Sequence, residues 1–220
     1  MLQQQHFQTG SLYTRSGTRK YLTPAERQRF IDAAQAHPRP DVRTLCLTLA
    51  YTGCRISEAL ALTPASIETQ DGFIALRSLK RRNRAVVIRE VPVPSWLLDE
   101  LAAQAQSRYG ESDARLWPLS RSRAWTLVKA VMRKAAIGDG KHATPKGLRH
   151  GYGLHAIRSG IPITLVQRWL GHARLATTAI YLQAMGSEER ELASRMWAKD
   201  KPHSRSDLVV CGLQDLILRQ

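Results

Sequence analysis

The stretch Thr144–Leu182, TPKGLRHGYGLHAIRSGIPITLVQRWLGHARLATTAIYL, decides how the rest of the chain is interpreted. It carries a basic triplet of Lys146, Arg149 and His150, then His172 after a glycine, and finally Tyr181. Arginine, lysine and histidine donate the hydrogen bonds with which proteins hold a phosphate. A tyrosine beside such donors is a candidate nucleophile, although its apolar neighbours, taken without the other motifs, favour core packing. The stretch predicts three helices, over about 145–159, 162–170 and 175–184, with the first two ended by glycines.

Charge restricts the class of partner. The 220 residues include 33 Lys+Arg and 18 Asp+Glu, for a formal net charge of +15. Such an excess indicates a polyanionic partner, nucleic acid before an anionic membrane surface. The three cysteines form no CxxC pair, which is typical of a reduced chain without a zinc site. Neither a signal peptide nor an apolar run long enough to span a membrane is found in the sequence, so a cytoplasmic location is predicted.

A two-residue period replaces the helical one between Ser66 and Val93 and predicts a β-hairpin. Six cations and no acid lie between positions 77 and 89, around a tip of sequence KRRNR at 80–84. One interpretation is a charged edge that prevents strand pairing. The other is a basic finger on the DNA backbone. The residues assigned to DNA contact are Arg77, Arg81, Arg82 and Arg84.

Upstream of the hairpin, the sequence places an arginine between two apolar helices. Thr23 and Glu26 predict a capping box at the start of the first helix, and a buried helix over about 40–51 ends at Gly53. Arg55 then begins a further short helix. It is interpreted either as an ion pair with Glu58, one turn later, or as a guanidinium held at a helix start to bind a phosphate.

The remaining segments complete an α-rich α+β prediction, with a helical body and a small three-stranded antiparallel sheet. Further helices are predicted over about 95–108, 122–137 and 187–198. Residues 1–20 are predicted to be a flexible arm, residues 21–198 one catalytic domain, and residues 199–220 a tail that docks on a neighbouring protomer.

The motifs, taken in order, resemble the tyrosine recombinase (phage integrase) family over about residues 21–198. They are TGCRISEAL at 52–60, the hairpin lysine Lys80, KGLRH at 146–150, LGH at 170–172, and a tyrosine nine residues after that histidine. Each motif alone is weak evidence. The ordered set with this spacing is specific.

The resemblance implies a role for each matching residue. Arg55 and Arg149 would hold non-bridging oxygens of the scissile phosphate, and His172 would bind the phosphate as charge develops. Tyr181 would attack the phosphorus to give a 3′-phosphotyrosyl link, and Lys80 would protonate the leaving 5′-oxygen.

Lys146 stands where most family members have histidine. The resemblance implies that it assists proton transfer at the tyrosine, and nearby His142 is a second candidate for that role. His150 is interpreted as a core or supporting residue.

The implied function is site-specific DNA recombination that needs neither metal, cofactor nor ATP. Double-stranded DNA, a tetrameric assembly on DNA and accessory DNA-bending proteins are the expected partners, on the bacterial nucleoid. The alternatives are a DNA-binding relic or regulator without cleavage, and DNA relaxation of the type IB topoisomerase kind. Full-length members carry a DNA-binding domain before the catalytic one, so the chain is expected to be a short single-domain member or a truncated one.

Overall fold

The structure is a computed structural model that describes residues 11–78, 87–106, 114–184, 193–194 and 196. The chain divides into two compact units, Met1–Ala184 and Met185–Gln220. The first unit contains every element given below. The helix predicted over 187–198 falls largely, and the tail at 199–220 entirely, outside the described residues.

Eight α-helices and one small sheet make up the described part of the first unit, and they confirm the predicted α+β class. Short 3-10 turns lie at Pro64–Ser66 and Leu182–Ala184. The helices are α1 Pro24–Gln35, α2 Pro40–Thr52, α3 Ile56–Ala59, α4 Ser95–Gln106, α5 Arg121–Lys134, α6 Pro145–Arg158, α7 Ile163–Leu170 and α8 Ala176–Ala179.

Helix α2 is the centre of the core. It packs against α1, α4, α5 and α6, and nine of its residues are buried. A Pro at its first turn starts the helix, and Gly53 ends it in the left-handed conformation at φ 60°. A Cβ at Gly53 would lie 2.4 Å from the Tyr152 ring, so glycine is also required there by the close packing of α6. The end of α2 is therefore fixed against α6 at the point where the chain enters the candidate site.

The sheet is antiparallel, in the order β1 (Ile67–Glu68), β2 (Phe73–Arg77), β3 (Ile88–Pro92). Its register pairs Phe73 with Pro92 and Arg77 with Ile88, and the Ser78 N–H donates to the Val87 carbonyl just beyond. Residues 79–86 lie outside the described residues. The predicted positions of Lys80, Arg81, Arg82 and Arg84 at the tip therefore stay predictions.

Arg89 differs from the expectation that all six cations of the hairpin form one exposed finger. It lies on β3 with 4% of its surface exposed, and shares the buried face with Val91, whereas Arg77 on β2 is exposed. The physical reason is the alternation of strand side chains, which places position 89 on the same face as the apolar position 91.

Residues 11–20 form a bridged turn. Tyr13 pairs with Arg19, the Lys20 N–H donates to the Leu12 carbonyl at 2.8 Å, and Leu12 is buried. The predicted capping box of Thr23 and Glu26 is confirmed, and Glu26 also pairs with Arg19. The boundary of the predicted arm at residue 20 stays a prediction. In the portion of the chain that was described, no helix has the length and apolar character to cross a membrane.

Candidate active site

Arg149 lies at the centre of the site and joins the ends of two helices. Thr144 caps α6 by accepting a hydrogen bond from the Gly147 N–H, and one turn later Arg149 is 6% exposed. Its guanidinium donates to the Gly53 carbonyl at 2.8 Å and to the Leu170 carbonyl at 2.6 Å. Burial lowers the pKa of Arg149 to about 10, so the side chain stays cationic at neutral pH.

Glu58 is a buried carboxylate that pairs with two arginines. Its Oε1 accepts from Arg55 Nη1 at 2.8 Å, and its Oε2 accepts from Arg89 Nη2 at 2.6 Å. Burial alone would raise the pKa of Glu58, but the charge of Arg89 and the hydrogen bond from the Arg55 N–H outweigh it and lower the pKa. Arg55 keeps a third of its side chain exposed, whereas Glu58 keeps 1%. The predicted ion pair between Arg55 and Glu58 therefore forms and leaves part of the Arg55 guanidinium accessible.

The link between α7 and the sheet positions His172. Arg89 Nε donates to the Trp169 carbonyl at 2.7 Å, at the last turn of α7. Gly171 then reverses the chain at φ 65°, and a Cβ there would lie 3.1 Å from the Arg89 guanidinium. Gly171 is thus the predicted end of the helix, and its bare α-carbon lets Arg89 pass beneath the turn that carries His172.

His172 is a neutral imidazole beside the tyrosine. Its Nδ1 lies 3.0 Å from the Thr178 hydroxyl, and its ring stacks on the ring of Tyr181 with centroids 6.3 Å apart. Burial, followed by the charges of Arg149 and Arg55, lowers the pKa of His172 to about 3. A neutral ring with Nδ1 facing a hydroxyl can present an N–H at the other nitrogen.

Tyr181 is fully buried, between α8 and the following 3-10 turn. Its hydroxyl lies 3.2 Å from Nδ1 of His150. Burial raises the pKa of Tyr181 to about 12, against the opposing charges of Arg149 and Arg55. Its ring rests on Gly153, where a Cβ would lie 2.5 Å from two ring atoms. The phenol is held in place by packing and is protonated at neutral pH.

A cleft of about 420 Å³ opens beside these residues. Arg55, Arg168 and His172 line one part of it, and the hairpin residues Ser78 and Arg89 line another. Arginine side chains and one imidazole around a cavity of this size suit a bound phosphate. Among the described residues, no group of His, Cys, Asp and Glu could hold a metal ion.

Comparison with known proteins places the chain in a family. The model of the Phage integrase family matches residues 20–188. The chain belongs to the phage integrase family. Tyrosine recombinase XerA of Thermococcus kodakarensis is 32% identical over 170 residues, which are 74% of this chain and 57% of XerA. XerA of Pyrococcus furiosus is 31% identical over 184 residues, 80% of this chain and 61% of that protein.

Solved structures of phage integrase family members have the same fold. A crystal structure of XerA recombinase superposes with a TM-score of 0.65 at 27% identity, over 83% of this chain and 65% of XerA. The catalytic domain of bacteriophage HP1 integrase gives a TM-score of 0.59 at 21% identity, over 84% of this chain and 96% of that domain. The chain therefore spans about 60% of the length of these curated relatives.

The structure brings together only some of the six residues that the resemblance implies are catalytic. Arg55, Arg149, His172 and Tyr181 converge on one site. Lys146 is exposed on the first turn of α6, and within the described part of the chain it makes no hydrogen bond or ion pair with Tyr181. Lys80 lies outside the described residues.

The sequence analysis did not predict two contacts in the candidate site. His150 was interpreted as a supporting residue, but its ring contacts the tyrosine hydroxyl. Arg89 was grouped with the finger cations, but it holds Glu58. The strand alternation was a signal for Arg89, whereas nothing in the local sequence indicated that the His150 ring would meet a residue 31 positions away.

Proposed function

We propose that the chain is the catalytic domain of a site-specific DNA recombinase that cleaves and rejoins DNA through a 3′-phosphotyrosyl intermediate. The observation that carries the proposal is the convergence of Tyr181 with Arg55, Arg149 and His172, of which Arg55 and His172 line the cationic cleft. Family membership supports it, since the XerA relatives are named tyrosine recombinases. A related structure, that of XerH, is described as bound to its difH substrate, and this supports DNA as the partner.

The two arginines would hold the scissile phosphate. A guanidinium has five N–H groups, and within the described residues Arg149 uses two of them for the Gly53 and Leu170 carbonyls. The others would bind a non-bridging oxygen, while the exposed part of Arg55 would bind the second. Because both guanidinium groups are already fixed by protein contacts, little reorganisation is needed when charge develops on the phosphate.

Chemistry would follow as an in-line displacement. Tyr181 Oη would form a bond to phosphorus, the bond from phosphorus to the 5′-oxygen would break, and the leaving oxygen would take a proton from Lys80. Neutral His172 would donate a hydrogen bond to the phosphate. Lys146, exposed at the start of α6, would add positive charge near the DNA. Rejoining would reverse these steps, so no energy-supplying cofactor is needed.

The assembly proposed for this reaction has four protomers on two double-stranded DNA sites. Residues 21–198 would form the catalytic domain, with residues 1–20 as an arm and residues 199–220 as a tail that docks on the neighbouring protomer. Accessory DNA-bending proteins and a location on the bacterial nucleoid belong to the same proposal.

A nicked suicide duplex tests the cleavage step. Escape of the short leaving strand should trap a covalent protein–DNA adduct with the unaltered chain. Tyr181→Phe should bind DNA but give no adduct, because the ring is retained and only the nucleophilic oxygen is lost. Tyr13→Phe is the matched control, since this tyrosine is 40% exposed and its hydroxyl contacts only Tyr21 among the hydrogen bonds described.

Binding without an adduct would reject the enzyme and favour the DNA-binding relic. If an adduct forms, a plasmid with paired sites separates the two enzymatic functions. Strand exchange between sites supports the recombinase, whereas relaxation of supercoils alone would identify the activity of the type IB topoisomerase kind.

A further inference from the structure

The contact between Tyr181 and His150 is not explained by the roles given above. Tyr181 is fully buried and His150 is partly buried, and the phenolic oxygen lies 3.2 Å from His150 Nδ1. The two rings have centroids 6.0 Å apart and an interplanar angle of 61°, so the nitrogen points towards the hydroxyl in an edge arrangement. Such a distance and orientation fit a hydrogen bond between a phenol and an imidazole nitrogen.

Helix α6 fixes this contact because it carries both His150 and Gly153, the glycine against which the Tyr181 ring packs. His150 and Gly153 are three residues apart, so they lie on neighbouring positions of one helix face. The absence of a side chain at Gly153 makes the space that the Tyr181 ring fills, 2.5 Å from where a Cβ would stand. The same helix carries Arg149, whose guanidinium is held by carbonyls at the ends of α2 and α7. One helix therefore positions both the proposed phosphate ligand and the partner of the nucleophile.

We propose that His150 is a catalytic residue, whose neutral Nδ1 accepts the phenolic proton of Tyr181 as the oxygen attacks phosphorus. This deepens the proposed function and rests on it. The Oη–H bond breaks as the bond from Oη to phosphorus forms, and the proton passes to Nδ1 to give an imidazolium. The leaving 5′-oxygen takes a separate proton from the general acid, Lys80 in the proposal above. In rejoining, the imidazolium returns its proton to the tyrosine oxygen.

The charges around His150 favour this role. Burial, then Lys146, Arg149 and Lys20, lower the pKa of His150 to about 4. The free ring is thus neutral at physiological pH and has a lone pair to offer. A phosphodiester bound at Arg55 and Arg149 brings a negative charge that offsets these cations. The pKa of His150 therefore rises when substrate binds, which stabilises the imidazolium at the step that forms it.

Lys146 fits a different part of this scheme. An ammonium group has three donors and no acceptor, so in its charged form it cannot receive the phenolic proton. It lies one turn before His150 on α6, and its charge is one of those that lower the pKa of that ring. In this chain Lys146, at the position where most family members have histidine, would add positive charge near the DNA. The proton acceptor would be His150, four residues later.

Single-turnover cleavage of two suicide substrates tests the proposal. One has the natural 5′-oxygen and the other a 5′-bridging sulfur, which leaves without needing a proton. His150→Asn places an amide near the position of Nδ1 and removes the basicity. We expect it to slow cleavage of both substrates by about 10²- to 10³-fold, the usual contribution of a positioned base. Lys80→Ala should be rescued by sulfur, and His37→Asn, in the loop between α1 and α2, should cleave normally.

A rate for His150→Asn within about threefold of the unaltered chain would overturn the proposal, and so would rescue of this variant by the bridging sulfur. The pH profile distinguishes proton transfer from a packing role. Cleavage by the unaltered chain should fall as the pH drops through the His150 pKa in the DNA complex. His150→Asn should lose that dependence, and a profile that keeps it would assign the titration to another group.

The tautomer of His150 separates this inference from the proposed function. Nitrogen-15 NMR of the DNA-free protein should show a neutral His150 with its proton on Nε2 at pH 7. A proton on Nδ1, or an imidazolium, would overturn the inference even if the unaltered chain cleaves DNA. Absence of any adduct with the unaltered chain would instead reject the proposed function, whatever the tautomer.

Discussion

Gly153 shows how strongly one residue controls the placement of Tyr181, the proposed nucleophile. Alanine at this position would favour the helical backbone of α6 by about 0.5–1 kcal/mol. Its methyl group would lie 2.5 Å from two atoms of the fully buried Tyr181 ring, so the ring or the helix would have to shift. Overpacking of this kind costs about 1–3 kcal/mol, so the clash outweighs the gain in helix propensity.

We therefore expect Gly153→Ala to lower the free energy of unfolding by about 1–2 kcal/mol and to reduce adduct formation at least tenfold, by moving the phenol away from His150. Urea denaturation and the suicide-substrate assay measure the two effects. Gly138→Ala is the control, because a Cβ there meets no atom within 4 Å. Equal adduct yields for the two variants would contradict the importance of this close contact.

At the scale of elements, the buried network of Arg55, Glu58 and Arg89 ties the hairpin to the helical body. Arg89 reaches from β3 to Glu58 on α3 and to the Trp169 carbonyl on α7. Three elements that are distant in sequence therefore depend on one side chain. If Arg89 were removed, Glu58 would keep only Arg55 as an ionic partner among the contacts described, while staying buried.

The expected cost of Arg89→Met is about 3–5 kcal/mol, the usual result of removing one partner from a buried ion pair. The double variant Glu58→Gln/Arg89→Met should be less destabilised than the sum of the single changes, by about 1–3 kcal/mol, because the buried carboxylate is removed together with Arg89. Chemical denaturation of the four proteins completes the cycle. Additive costs would show that the ion pair between Arg89 and Glu58 contributes nothing to the stability of the fold.

The elements also show what the sequence could predict. Helical periodicity and glycine positions predicted α2, α6 and α7 to within one or two residues, because their start and stop signals are local. The partners of Arg89 and His150 could not be predicted in this way. Their contacts join positions 31 and 80 residues apart, and such distances are set by how α3, α6, α7 and the sheet pack together.

For the whole molecule, the positive charge should appear in the salt dependence of DNA binding. Replacing Arg81, Arg82 and Arg84 together with alanine should weaken binding and flatten the plot of log affinity against log salt, by about one unit per lost phosphate contact. Fluorescence anisotropy on one duplex at several salt concentrations measures the slope.

The matched control is Arg39→Ala, because the Arg39 charge is already paired with Asp41 at 2.6 Å. An unchanged slope for the triple variant would favour the other interpretation of the hairpin tip, a charged edge that prevents strand pairing. A flatter slope for both variants would show that the net charge, rather than the finger, governs binding.

Much of the molecule's organisation was predictable, since the ordered motifs matched a family whose model covers residues 20–188. Four of the five described candidate residues, Arg55, Arg149, His172 and Tyr181, lie together, whereas Lys146 is exposed apart from them, and no single motif required this arrangement. The protonation states of the histidines and the tyrosine could not be predicted, because they depend on three-dimensional packing. Burial makes His172 and His150 neutral and keeps Tyr181 protonated, and burial of a given side chain is a property of the complete fold.

Arg149 donates two hydrogen bonds to backbone carbonyls at the C-terminal ends of α2 and α7. These two helices are separated by more than a hundred residues of chain. The arrangement of Arg149 therefore exists only while the ends of both helices are docked on α6, and a species in which either helix has detached loses it. Heat inactivation and loss of the native circular dichroism signal should consequently follow one cooperative transition. A chain in which α7 is not docked would therefore lack the arrangement of Arg149 that the proposed cleavage requires.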